Sequence, residues 1–165
     1  MMQAMAQHLR FSAGTINLVA TDLDEDDARR RARGNEGASI AWVLGHLINY
    51  RYRMMALLGA EKTNPLADTF TKHATDGSDY PTMAELVSAW NTVTGELNAV
   101  TETVADEQLQ SPPASAPHRE KTVMDTLSFL VWHESYHIGQ LGTLRTQMGY
   151  TPTAELAVAA SKQKK

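Results

Sequence analysis

The sequence predicts an all-α fold, a single-domain four-helix bundle with long connectors. Four segments of roughly 19–27 residues place apolar side chains three and four positions apart, the helical spacing. Proline, glycine and charge-rich stretches separate them. No apolar–polar alternation marks a strand, and no segment repeats. A chain of 165 residues suits one core.

The first helix is expected over residues 2–20, with Met5, Leu9, Ile16 and Val19 as its inner stripe and Gly14 as a weak point. A connector follows over 22–38. Its acidic run (Asp22, Asp24, Glu25, Asp26, Asp27) directly precedes Arg29, Arg30, Arg31 and Arg33, so it reads as a solvated, self-neutralising stretch rather than a binding patch.

The second helix is expected over 39–58. Ser39 suits an N-cap and Gly59 a stop. Val43, Leu47, Tyr50, Met54 and Leu57 make its inner stripe, joined by Ile40 and Leu44. After a connector over 60–81, Pro81 precedes the third helix, expected over 82–104. Thr82 and Glu85 fit a capping box, in which hydroxyl and carboxylate each satisfy a free amide. Leu86, Trp90, Val93, Leu97 and Val100 follow at helical spacing.

The third connector, 106–121, is kept extended by Pro112, Pro113 and Pro117. The fourth helix is expected over 122–148, with Thr122 as N-cap, Asp125 at the positive N-terminal end and Gly149 just past the stop. Connectors this long do not force sequential helices to pack as antiparallel neighbours. Residues 1–150 are thus expected to form the bundle. Residues 151–165 are a C-terminal extension, with a short helix over 153–160 and a frayed end.

Composition removes several function classes. There is no cysteine, which excludes disulfides, thiolate ligands and a cysteine nucleophile. A tight metal site must then use His, Asp or Glu. The net charge of −4 argues against a nucleic-acid partner. No apolar run approaches the ~18–20 residues of a membrane span. Residues 1–10 lack a basic stretch followed by an apolar one, so a cytoplasmic protein is expected.

The chemistry is expected at the histidines. Residues 133–137 read His-Glu-Ser-Tyr-His on the fourth helix. Positions i and i+4 lie on one helix face, so His133 and His137 can aim two imidazoles at one ion. Both continue the stripe of Leu127, Leu130, Leu141, Leu144 and Met148, and are expected to face inward. His46 borders the inner face of the second helix and is the candidate third ligand. Three neutral imidazoles with an open position form a catalytic type of zinc site and also suit nickel. The competing reading is three core histidines, each satisfied separately. His73 and His118 lie in polar connectors and read as surface residues. His8, beside Leu9, is a lesser candidate for a fourth ligand or an outer hydrogen-bond donor.

Two motifs carry a resemblance: Ser39-Ile40-Ala41-Trp42-Val43-Leu44-Gly45-His46-Leu47 on the second helix, and His133-Glu134-Ser135-Tyr136-His137-Ile138-Gly139-Gln140-Leu141 on the fourth. Together they resemble the DinB-like (DinB/YfiT) superfamily of metal-dependent enzymes. The resemblance implies a four-helix bundle of up-down-down-up order, frequently a homodimer, with a divalent metal, typically zinc or nickel, on His46, His133 and His137. It also implies a small-molecule substrate and, in some relatives, a low-molecular-weight thiol cosubstrate. The family often has a basic residue after the second His of the pair. Ile138 stands there in this chain.

His-Glu-Ser-Tyr-His also matches the H-E-x-x-H of zinc peptidases, with Glu134 as general base and Glu155 as a possible downstream ligand. Against that stands the lack of any strand to hold an extended peptide. In a bundle enzyme Glu134 could accept a proton, although one residue from His133 it is rotated about 100° off the ligand face. Trp42 and Tyr50, each four residues from His46, could wall the pocket, and Gln140 could orient His137. The reading expected is a metal-dependent transferase or hydrolase acting on a small molecule. The alternative is a non-catalytic, metal-stabilised helical module for binding or dimerisation. An open cleft beside the metal separates the two.

Overall fold

The computed structural model describes residues 1–70, 73–114 and 122–163. Pro117 and His118, for which an extended connector and a surface position are expected, lie outside these residues. The described residues form seven helices and no strand: α1 (Met2–Val19), α2 (Glu25–Arg29), α3 (Ile40–Leu57), α4 (Met83–Thr103), α5 (Asp106–Gln110), α6 (Val123–Gln147) and α7 (Thr153–Gln163). The four long ones are the four expected from the sequence.

Their ends form as the capping residues dictate. Ser39 accepts a hydrogen bond from the Trp42 amide at 3.2 Å. Thr82 with Glu85, and Thr122 with Asp125, make complete capping boxes. Gly59 and Gly149 follow the last turns of α3 and α6 with φ of 85° and 87°, a conformation in which a Cβ would be strained.

Hydrogen bonds between residues distant in the chain fix the order of the bundle. Arg51 on α3 bonds the Leu9 carbonyl on α1 and Glu134 on α6, while Arg145 further along α6 bonds the Val19 carbonyl. Helices α1 and α6 therefore run parallel. The Trp90 indole reaches the Ala13 carbonyl, and the first residue of the chain pairs with Asp106 beyond α4, so α4 runs against α1. On α3 and α6, Tyr50 meets His133 and His46 meets His137, an antiparallel register. The order is up-down-down-up, with α1 and α3 on one diagonal and α4 and α6 on the other.

Leu9, Ile16, Leu44, Leu47, Met54, Leu86, Trp90, Val93, Leu127 and Leu141 fill the axis. Three stripes depart from their expected phase, and on α3 the expected inner residues Tyr50 and Leu57 are also only partly buried. Met5 and Val100 are only partly buried, and Met2, Ala6 and Thr101 take the inward positions. On α6, His133 and His137 are half-buried rather than central, and Glu134 is the residue that is wholly enclosed. An apolar pattern cannot place a buried charge, because its burial depends on a partner elsewhere in the chain.

The connectors hold two short helices that the sequence does not announce. In α2 the Asp24 carboxylate caps the amides of Asp26 and Asp27, and the wholly buried Ala28 anchors it. The acidic and basic runs do neutralise each other: Arg29 pairs with Glu25, Arg30 with Asp27 and Arg33 with Glu36. Helix α5 is anchored by Leu109 and by the Gln108 side chain, which bonds the Leu58 carbonyl at 2.9 Å. Helix α7 packs on α1 and runs through Gln163, three residues beyond its expected end.

Candidate metal centre

Helices α3 and α6 bring three imidazoles to one point. His46 lies in the second turn of α3, and His133 and His137 lie one turn apart in the middle of α6. The Nε2 atom of His133 is 3.4 Å from that of His46 and 3.1 Å from that of His137. One ring nitrogen from each of the three falls within 4.8 Å of the others. Among the described residues no further His, Asp or Glu joins this group.

Aromatic rings hold the imidazoles in place. Trp42 stacks on His46, with centroids 4.7 Å apart and planes 18° apart. Tyr50 stacks on His133 at 4.0 Å and touches His46 at 4.6 Å. Gly45 lets the Phe70 ring lie against α3: a Cβ there would stand 2.4 Å from ring carbons. Gln140 Oε1 sits 2.9 Å from His137 Nδ1. The amide oxygen can only accept, so Nδ1 carries the proton and Nε2 presents a lone pair to the other two rings.

The rings are also neutral. Burial, then the charges of His137, His133 and Arg53, push His46 down to about 4. Burial, then His137 and Arg53, push His133 down to about 4. Burial lowers His137, partly opposed by its bond to Gln140. The donor set fits a divalent cation. Neutral imidazoles are competent ligands, the His137 tautomer is the right one, and nitrogens sharing a cation at ~2.1 Å stand about 3.0–3.4 Å apart.

A cleft opens beside His46. Its volume is about 440 Å³, within the range of small-molecule sites. Tyr50, Tyr52, Arg53, Asn49, Asn64 and Phe70 line it with His46. The two asparagine side chains hydrogen-bond each other.

The sequence profile of the DinB superfamily matches residues 8–141, most of the chain. The chain belongs to the DinB superfamily. Two solved structures share the fold. A DinB-like protein from Bacillus cereus is 14% identical, with a TM-score of 0.72 over 91% of this chain and 94% of its own. YfiT from Bacillus subtilis, described as a probable metal-dependent hydrolase with an unusual four-helix bundle topology, is 17% identical. Its TM-score is 0.65 over 91% of this chain and 89% of its own. No curated protein matches the sequence.

Set against this DinB-type frame, the residues singled out from the sequence divide clearly. His46, His133 and His137 meet, and Trp42, Tyr50 and Gln140 touch them. His8 does not join the cluster: it is exposed and pairs with the Ser135 hydroxyl at 2.9 Å. His73 is exposed in its connector. Glu134 is fully enclosed, and both its carboxylate oxygens accept from Arg51, at 2.8 and 2.9 Å. A proton acceptor needs a lone pair that substrate or water can reach. The position of Glu134 therefore does not suit the general-base role expected of it. The residues the sequence did not flag are Arg51 and Arg53. Arg51 carried one signal, a cation at a position in phase with Leu44, Leu47 and Met54. Arg53 carried none.

Proposed function

We propose that this chain is a divalent-metal-dependent hydrolase or transferase acting on a small molecule, with His46, His133 and His137 as the metal ligands. The observation that carries the reading is the convergence of three neutral imidazoles, without a fourth protein ligand among the described residues, next to a cleft of about 440 Å³. A closed structural site takes four protein ligands, whereas three leave a position for water or substrate. When bound, a divalent cation would supply Lewis acidity and lower the pKa of water or of a thiol toward neutrality.

The chain's own groups would do the rest. Gln140 orients His137, Trp42 and Tyr50 hold His46 and His133, and Phe70 closes the apolar side of the cleft. The all-nitrogen donor set supports zinc or nickel. A low-molecular-weight thiol as cosubstrate, a homodimer and a cytoplasmic setting enter the proposal from family membership. A peptidase reading finds less support: Glu134 is occupied by Arg51, and no strand among the described residues offers an edge to an extended peptide.

The test is metal analysis of untagged protein purified without added metal. Turnover would then be screened against ester, amide and lactone substrates, and against electrophiles with and without a thiol. About one zinc or nickel ion per chain, with turnover lost on chelation and regained on reloading, supports the proposal. Failure to retain either metal at micromolar concentration overturns it.

A further inference from the structure

Among the described residues, one arginine lining the cleft has no carboxylate on it. Arg29, Arg30, Arg33 and Arg51 each pair with an acidic side chain. Arg53 is exposed, lines the cleft, and among the described residues pairs with no acid. It lies against an aromatic face: the guanidinium carbon is 4.9 Å from the centroid of Tyr50. The same Tyr50 ring contacts His133 at 4.0 Å and His46 at 4.6 Å, so one side chain separates the guanidinium from the imidazoles.

We propose that Arg53 is a specificity-determining residue that takes the carboxylate of an anionic small substrate whose other end reaches the metal held by His46, His133 and His137. A guanidinium pre-seated on a ring loses little freedom on binding and offers paired N–H donors matched to a carboxylate. The apolar walls of Tyr50 and Phe70 accommodate the few carbons in between. This inference rests on the open metal site proposed above.

The probes are two hydroxamates of equal chain length, butyrohydroxamate and succinic monohydroxamate, titrated into the cobalt-loaded full-length protein and followed by the visible spectrum. The carboxylated probe is expected to bind the wild type roughly two- to fivefold more tightly, the effect of one exposed charge pair. In Arg53→Gln that preference disappears, while cobalt content and affinity for the uncharged probe stay as in the wild type. A preference that survives in Arg53→Gln, or equal binding of both probes to the wild type, overturns the role of Arg53 alone. If neither probe perturbs the cobalt spectrum of the wild type, the open metal site itself fails and this inference with it.

Discussion

Arg51 donates from Nε and Nη2 to the two carboxylate oxygens of Glu134, at 2.9 and 2.8 Å, with both side chains almost wholly removed from solvent. The guanidinium also bonds Thr94 on α4 at 2.5 Å and the Leu9 carbonyl on α1 at 3.0 Å, and lies 3.7 Å over the Trp90 ring. One residue thus ties all four long helices together, at a level next to His133. Breaking a buried pair from one side leaves an uncompensated charge and costs about 3–5 kcal/mol, whereas replacing both partners with apolar groups is often close to neutral. Glu134→Gln is therefore expected to lower Tm by more than about 6 °C, and Glu134→Leu with Arg51→Met to recover most of the loss. Unchanged stability in Glu134→Gln, with metal kept and turnover lost, would return Glu134 to the role of base.

His133 contacts both other imidazoles. His133→Ala should abolish stoichiometric zinc or nickel binding, read as metal per chain after dialysis. His73→Ala, an exposed connector residue, should leave metal content unchanged. A large loss in the second variant would mean that the wrong histidines have been grouped.

Gln140 acts through His137. Replacing an outer hydrogen-bond partner of a histidine ligand typically weakens metal affinity 10–100-fold. Gln140→Leu is expected to fall in that range in a competition titration with a chromophoric chelator, while the helix content stays the same. Wild-type affinity in this variant would show that the 2.9 Å contact does not set the His137 tautomer.

Gly45 is required by packing rather than by backbone conformation. Gly45→Ala would drive a Cβ into the ring of Phe70, which is 1% exposed and has little room to yield. Overpacking of this kind costs typically 1–3 kcal/mol. Urea denaturation should show the midpoint falling. A neutral result would mean that the 60–70 segment moves away from α3 at little cost.

The metal-free chain should lose stability as pH falls. His46 and His133 titrate near 4 when folded, against about 6.5 when unfolded. Between those values the unfolded chain binds more protons, so each step down in pH favours unfolding, and the effect levels off below about 4. Urea midpoints at pH 7 and pH 5, in the presence of chelator, should differ more for the wild type than for His46→Gln. An equal difference would show that burial does not hold His46 neutral.

The four long helices could be read from the chain because their information is local. Ser39, Thr82 and Thr122 start three of them, Gly59 and Gly149 end two, and the apolar spacing between is an intrinsic property of the sequence. The His133/His137 pair was equally legible, since i and i+4 share a helix face whatever surrounds them. Short α2 and α5 were hidden because each depends on one buried anchor, Ala28 or Leu109, whose burial requires the assembled bundle.

The ends of the long helices and the shared face of His133 and His137 follow from residues a few positions apart, and the sequence determined those by itself. Tertiary structure alone decided that Glu134 turns inward to Arg51, that His133 and His137 are half-buried instead of on the bundle axis, and that Arg53 lines the cleft beside His46 with no acidic partner among the described residues. The environment of a charge depends on partners dozens of residues away, 83 positions in the case of Arg51 and Glu134. A charge is expelled to solvent or enclosed according to whether such a partner arrives, and no local pattern encodes that arrival.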